Sequence, residues 1–398
     1  MAEEMGAMGG QMLAIRAHRV ITPLQDLRDA VVLVEGETIA AVGRQSSVAI
    51  PEGARVLDVG DKIVAPGLID LHHHGALGHM AADGAEAVRK IGRYLPTTGT
   101  TAWLPTVQSE NEIAGVVAAK REGTGGADIL GVHMEGPFLA PKGVAGQEAM
   151  DEGLRKPSIL EFARILEAAA GELRLMGVAP ELEGALELIR EMRRSGVVPA
   201  IAHTKANYEQ FMRAVEAGAR HATHTYNVMT GLHHRQPNVV GGVLTCDLVS
   251  AEIIADGFHV CPVAMDVLLR CKGFDRVAVI TDSVPVAGLP DGTYEMFGHK
   301  VVKKDGISRA AGATADQDHT MAGSEWPLNH NVRNLVELVH VPLAAAIRMA
   351  TLTPARIVGV DRQKGSLEPG KDADLIVIDP EIRVCLAMVR GRIVHQVE

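Results

Sequence analysis

A chain of 398 residues exceeds one small domain and fits a barrel plus a modest second unit. Hydrophobic residues make up 47% but aromatics only 3%, so the core must rely on Val, Leu, Ile, Ala and Met, which favours a parallel α/β core over a β-sandwich as the main fold. With 39 basic against 49 acidic side chains, a formal charge of −10 and no long basic run, no nucleic-acid partner is expected.

Residues 1–12 are acidic and rich in Gly and Met, without a basic segment or long apolar core, and read as a disordered leader. From Leu13 to about Val64 the pattern is of short β runs with turns: Leu13 to Ile21, Val31 to Glu35, Thr38 to Val42 and Arg55 to Val59, with Gly36 and Glu37 suited to a hairpin. The far end repeats this in Asp374 to Ile378, Val384 to Val389 and Arg392 to Val397. Residues 13–64 and 359–398 are therefore expected to form one small β-sandwich domain from both chain ends.

Between them, apolar strand-like runs alternate with helical stretches, the pattern of βαβ units and a parallel sheet. Eight such strands can be counted: Ile63 to Asp70, Thr100 to Leu104, Ile129 to Met134, Leu173 to Val178, Val197 to Ala202, His221 to Thr223, Ala251 to Ala255 and Val277 to Thr281. Helices at Ala85 to Tyr94, Ser158 to Ala170, Ala185 to Ser195, Tyr208 to Ala217 and Ala264 to Cys271 separate most of them, and two more fill Trp326 to Val358. The expectation is a (β/α)8 TIM-like barrel over residues 65–358, with a β-hairpin insertion at about 285–318. Cys246, Cys261, Cys271 and Cys385 show no CxxC spacing and read as reduced, mostly buried thiols. No eighteen-residue apolar run exists, so no membrane span is expected and a cytoplasmic location is.

Parallel barrels carry their reactive groups where strands end. Strand one ends in Asp70-Leu71-His72-His73-His74, strand three in His133-Met134-Glu135, strand five in His203, strand six in His224 and strand eight in Asp282. A His-x-His pair on an extended strand puts both imidazoles on one face, so His72 and His74 can bind one ion; alone, the run reads equally as hydrogen-bonded or solvent-facing histidines. Glu135 precedes Gly136-Pro137 and is a turn acid or a metal-bound carboxylate. His203 and His224, each alone, read first as satisfied core histidines. Together with Glu135 they make a nitrogen/oxygen three-ligand site with an open position. Cys is absent from these strand ends, which implies a hard or borderline divalent ion, with zinc, iron(II) and manganese all open. Asp282 is the candidate general acid/base, with a turn-capping role as the alternative.

At these residues the chain resembles the amidohydrolase superfamily and, within it, the N-acetylglucosamine-6-phosphate deacetylases. The motifs are Pro66-Gly67-Leu68-Ile69-Asp70, His133 to Phe138, Thr223 to Met229, Leu232-His233-His234-Arg235, Ile254 to Val260 and Thr281-Asp282, with Ala322-Gly323-Ser324 and Lys364 to Asp374 near the end. The resemblance implies that Glu135, His203 and His224 hold the principal metal, that His72 and His74 admit a second ion, and that Asp282 moves the proton in hydrolysis to acetate and an amino-sugar phosphate. It implies phosphate contacts from Asn227, Arg235 and His259 and further substrate contacts from Val228 and Met321, with Arg235 reaching across a homodimer interface to the phosphate. A planar guanidinium suits that anion. One departure stands out: where the family usually has Lys-Gly-Ala-His, Lys142-Gly143 runs into Val144-Ala145-Gly146-Gln147. Gln147 supplies a hydrogen bond in its place, or the acyl or sugar preference has moved, for example to the galactosamine epimer. A D-aminoacylase or cyclic amidase commonly uses a lysine after strand four, where this chain has Ala179-Pro180-Glu181. A non-enzymatic scaffold would show decayed ligands, and all five candidates are intact.

Overall fold

The computed structural model describes residues 12–141, 153–296, 299–311 and 323–397. The leader and the segment holding Gln147, as well as Met321, lie outside the described residues. Eight parallel strands form the barrel in chain order: Leu68–His73, Thr100–Val107, Val132–Met134, Leu173–Val178, Val198–Ile201, His221–Ala222, Ser250–Ile254 and Val277–Ile280. The eighth meets the first through a parallel bridge, His73 to Ser283, and through the Asp282 amide donating to the His72 carbonyl at 2.9 Å. Buried Asp70 adds to this closure: its carboxylate accepts from the Thr281 hydroxyl at 2.6 Å and from the His72 and Thr281 amides.

A second sheet of eight strands is assembled from both chain ends, with Ile63–Pro66 lying between Leu13–Ile21 and Leu375–Ile378. The expected strand Ile63 to Asp70 is thus two strands, each in a different sheet. The change of sheet falls at Gly67, whose amide bonds to Asp374 while that of Leu68 bonds to Gly99. A side chain there is excluded, because a Cβ on Gly67 would lie 1.9 Å from the Thr101 hydroxyl. The expected third strand is also interrupted, into Asp128–Ile129 and Val132–Met134.

Helices cover the barrel, including Glu110–Glu122 and Asn238–Thr245, which periodicity did not single out. In the first, Ile113, Val116 and Val117 are buried, but exposed Ala114 blurs the apolar stripe. Its start is nonetheless encoded, since Ser109 and Glu112 form a reciprocal capping box. Between barrel strand eight and the last helices stand three antiparallel strands, Gly292–Met296, His299–Lys304 and Ile307–Ala310. No described helix is long and apolar enough to cross a membrane. All four cysteines are free, but none is buried: Cys261 and Cys271 are exposed and Cys246 and Cys385 half-buried. The expectation of mostly buried thiols fails because Cys261 caps the surface helix Pro262–Lys272 and Cys271 lies in its last turn.

One ionic cluster joins the end-assembled sheet to the barrel. Buried Lys364 donates to Asp128 at 2.8 Å and Asp374 at 2.5 Å and lies 2.8 Å from Asp372, while Arg390 also reaches Asp128 at 2.7 Å. Burial works against the ammonium, but the carboxylates outweigh it and hold its pKa above the ordinary lysine value. Removing one partner of a buried ion pair strands the other's charge. Lys364→Met is therefore expected to cost about 3–5 kcal/mol, read as a lower urea midpoint. An unchanged midpoint would show that the cluster contributes nothing net.

Candidate metal centre

The strand-end residues converge. His72, His74, Glu135, His203 and His224 are all buried at one mouth of the barrel, and Asp282 stands beside them with its side chain 17% exposed. Glu135 is at the centre. Its Oε1 lies 3.0 Å from His203 Nε2 and 2.9 Å from His224 Nε2, and its Oε2 lies 3.2 Å from His74 Nε2. The two ring nitrogens of His203 and His224 are 3.0 Å apart, and those of His72 and His74 are 3.1 Å apart. Asp282 Oδ1 is 3.4 Å from Nε2 of both His72 and His74.

Two overlapping groups have the donor set of a metal site: Glu135, His203 and His224, and His72, His74 and Glu135. Imidazole nitrogens and carboxylate oxygens that face one another at hydrogen-bond distance in a buried place need protons or a cation between them. Two nitrogens and one oxygen leave an open position on a divalent ion. The pKa directions describe the same field. Burial would lower His72 and His74, but the carboxylates of Asp282 and Glu135 outweigh it and hold both above the ordinary imidazole value, His72 well above. Burial would raise Glu135 and Asp282, yet His72 and the histidines around them keep both below the usual carboxylate range. The residues fit such an ion.

Local backbone aims these side chains. His203, His224 and Asp282 have φ of +36°, +25° and +51°, the left-handed region that non-glycine residues seldom occupy. Such conformations cluster where function demands a direction of approach. His73 faces away, its ring 5.2 Å from Trp103 and its Nδ1 3.3 Å from Asp70. His133 is also no part of the cluster: Nδ1 contacts the Leu71 carbonyl at 3.0 Å, and burial together with the His72 charge pushes its pKa down to about 3, so it stays neutral.

The expected substrate contacts are less uniformly placed. Asn227 follows His224, and its side-chain Nδ2 is buried without a hydrogen-bond partner. Val228 is 39% exposed. His259 is held by Asp256, which accepts from its Nδ1 at 2.7 Å and from the amides of Phe258 and His259. Burial works against the His259 cation, but Asp256 outweighs it and raises the pKa, and the Asp282 charge reaches it as well. Arg235 lies in the exposed stretch 231–236, and this chain does not carry it into the cluster. Asp70, Asp256 and Glu252 were given no role by sequence reasoning. The available signal was a carboxylate between apolar residues within a strand, as Glu252 is between Ala251 and Ile253.

The sequence profile of the amidohydrolase family matches residues 63–394, which is most of the chain. The chain belongs to the amidohydrolase family. Members of this family are metal-dependent, in keeping with the two groups around Glu135. This amidohydrolase is 35% identical over 386 residues to the N-acetylgalactosamine-6-phosphate deacetylase of Escherichia coli O157:H7, covering 95% of this chain and 98% of that one. It is also 35% identical over 391 residues to the N-acetylglucosamine-6-phosphate deacetylase of Vibrio furnissii, with 95% and 94% covered. Among solved structures, a variant of the N-acetyl-D-glucosamine-6-phosphate deacetylase of Mycobacterium smegmatis in complex with N-acetyl-D-glucosamine-6-phosphate superposes with a TM-score of 0.88 at 29% identity, covering 97% of this chain and all of that one.

Because Glu135 belongs to both groups and His74 to one, their replacement should differ. Elemental analysis after reconstitution and desalting is expected to find Glu135→Ala depleted at both positions and His74→Ala at one. Equal metal content in the two variants would refute the shared carboxylate.

Proposed function

We propose that this amidohydrolase hydrolyses the acetamide of N-acetylglucosamine 6-phosphate, releasing acetate and glucosamine 6-phosphate. The observation that carries this reading is the meeting of Glu135, His203 and His224 with Asp282 at one barrel mouth. Deacetylases of amino-sugar phosphates as its full-length relatives support it. The galactosamine epimer is a second substrate reading, favoured by equal identity to the Escherichia coli enzyme.

In the reaction, Glu135, His203 and His224 would hold the principal divalent ion, and His72 and His74 with Glu135 a second. Zinc is the first choice for nitrogen and oxygen donors, with iron or manganese as alternatives. When bound, such an ion polarises the amide carbonyl and acidifies water. Asp282 is kept ionised by His72 and His74 and is the most open member of the cluster, so it can receive a proton from the attacking water. It then delivers that proton to the departing sugar nitrogen. Asn227 offers a buried donor without a partner, and His259, raised in pKa by Asp256, offers a cation to the phosphate. Arg235 is exposed on this chain and would serve the site of a second subunit in a homodimer, giving phosphate a bidentate partner. Val228, Gln147 and Met321 complete the proposed substrate contacts, and the enzyme works in the cytoplasm.

Acetate release should be measured on both epimers, with and without the phosphate. Turnover of the phosphorylated sugars with kcat/KM far above that of the free sugars is expected, and equal rates would refute the phosphate pocket. Asp282→Asn should lower kcat by about 10²–10⁴-fold while leaving metal content unchanged. Near-full activity of that variant would remove Asp282 from the proton transfer.

A further inference from the structure

Glu252 is a carboxylate in the middle of barrel strand seven, fully buried between Ala251 and Ile253. Taking such a charge out of water is costly unless every oxygen is well paired, and here both are. Oε1 accepts from His221 Nε2 at 2.9 Å, and the other ring nitrogen of His221 meets the Ser250 hydroxyl at 2.7 Å. His221 and Ser250 face each other in the register of strands six and seven, so this half of the cluster is built into the barrel wall. Oε2 points the other way, toward the mouth. It accepts from His72 Nδ1 at 3.3 Å and from the backbone N–H of His224 at 3.1 Å.

These two contacts reach different parts of the metal centre. His72 belongs to the group with His74, and His224 to the group with His203. Resting on the metal reading above, we infer that Glu252 is a positioning residue that couples the two halves of the site and sets the affinity of the His72/His74 position. The chemistry follows from the tautomer. A neutral imidazole, the form that ligates a metal, presents its Nε2 lone pair when its Nδ1–H is donated to a carboxylate, and Nε2 of His72 faces His74 and Glu135. His224 is held differently, through its backbone, which fixes where its left-handed turn releases the ring. One carboxylate oxygen therefore orders a side chain in one group and a main chain in the other. A barrel-stabilising role alone would be met by any donors to the second oxygen, whereas here both donors are residues of the metal centre, His72 and His224.

The test titrates metal-stripped protein with Zn²⁺ against a chromogenic chelator, using wild type, Glu252→Gln and Glu252→Met, with circular dichroism reporting the fold. Wild type is expected to bind at both positions. Glu252→Met, similar in shape but unable to accept hydrogen bonds, should weaken the His72/His74 position by about 10–100-fold and the other position less. Glu252→Gln can keep its carbonyl toward His72 and His224 and should recover part of that loss. Wild-type affinity in a folded Met variant, or equal losses in the Gln and Met variants, would overturn the inference. If the Met variant does not fold, the near-isosteric Gln variant decides: weaker Zn²⁺ binding than wild type supports the coupling, and unchanged binding overturns it. Failure of the wild type itself to take up Zn²⁺ would instead overturn the metal reading, and this inference with it.

Discussion

The arrangement at the barrel mouth depends on one buried negative charge. Glu135 is 6% exposed, and a carboxylate so removed from water is tolerated only beside compensating charge. The compensation comes from imidazoles on barrel strands one, five and six, each brought within hydrogen-bond or ion-pair distance. Because these partners are far apart in the chain, their attraction to one carboxylate restrains the relative heights of the strands that carry them. The same proximity that favours closure gathers a donor set suited to a cation, so fold and that chemistry would draw on one interaction.

Aiming the groups has a conformational cost. Three of the six cluster residues turn through the left-handed region, and none is glycine. Each sits just beyond a short parallel strand whose ladder is already complete, where a sharp change of direction lets a side chain enter the mouth instead of following the strand outward. A backbone of this kind persists when its surroundings over-determine it. Here the bonds from the His224 amide to Glu252 and from the Asp282 amide to His72 supply that restraint.

Much of this was legible in the sequence, and the parts that were not share a cause. Strand ends followed by Glu135, His203, His224 and Asp282 could be read because apolar runs mark buried parallel strands and a polar residue at their close is costly without a purpose. The His72/His74 pair could be assigned to one face by period two, but not to the inner one. Ile69 and Leu71 already pack with the aliphatic residues of the other strands, and a shift of register between Asp70 and His73 brings His72 and His74 to the mouth while His73 turns toward Trp103. No local pattern announces such an irregularity. The break at Gly67 was hidden for the same reason, since Ile63 to Asp70 is continuously apolar apart from its punctuation and only the packing against Thr101 shows why the glycine is there. Glu252 looked like an ordinary strand residue because its partners, His72, His221 and His224, lie on other strands.

The carboxylates of this barrel form a chain of attachments around its circumference. Asp70 ties strand one to strand eight, Glu252 ties strand seven to strands one and six, and Glu135 ties strand three to strands one, five and six. Each link is made at the level of the strands or immediately above them, not in the longer connections over the mouth. Loops above can then differ in length and residue type while the cluster keeps its geometry. The donor groups suited to a metal are accordingly a property of the wall. The residues proposed to contact the sugar phosphate, such as Val228 and His259, stand outside that set of attachments.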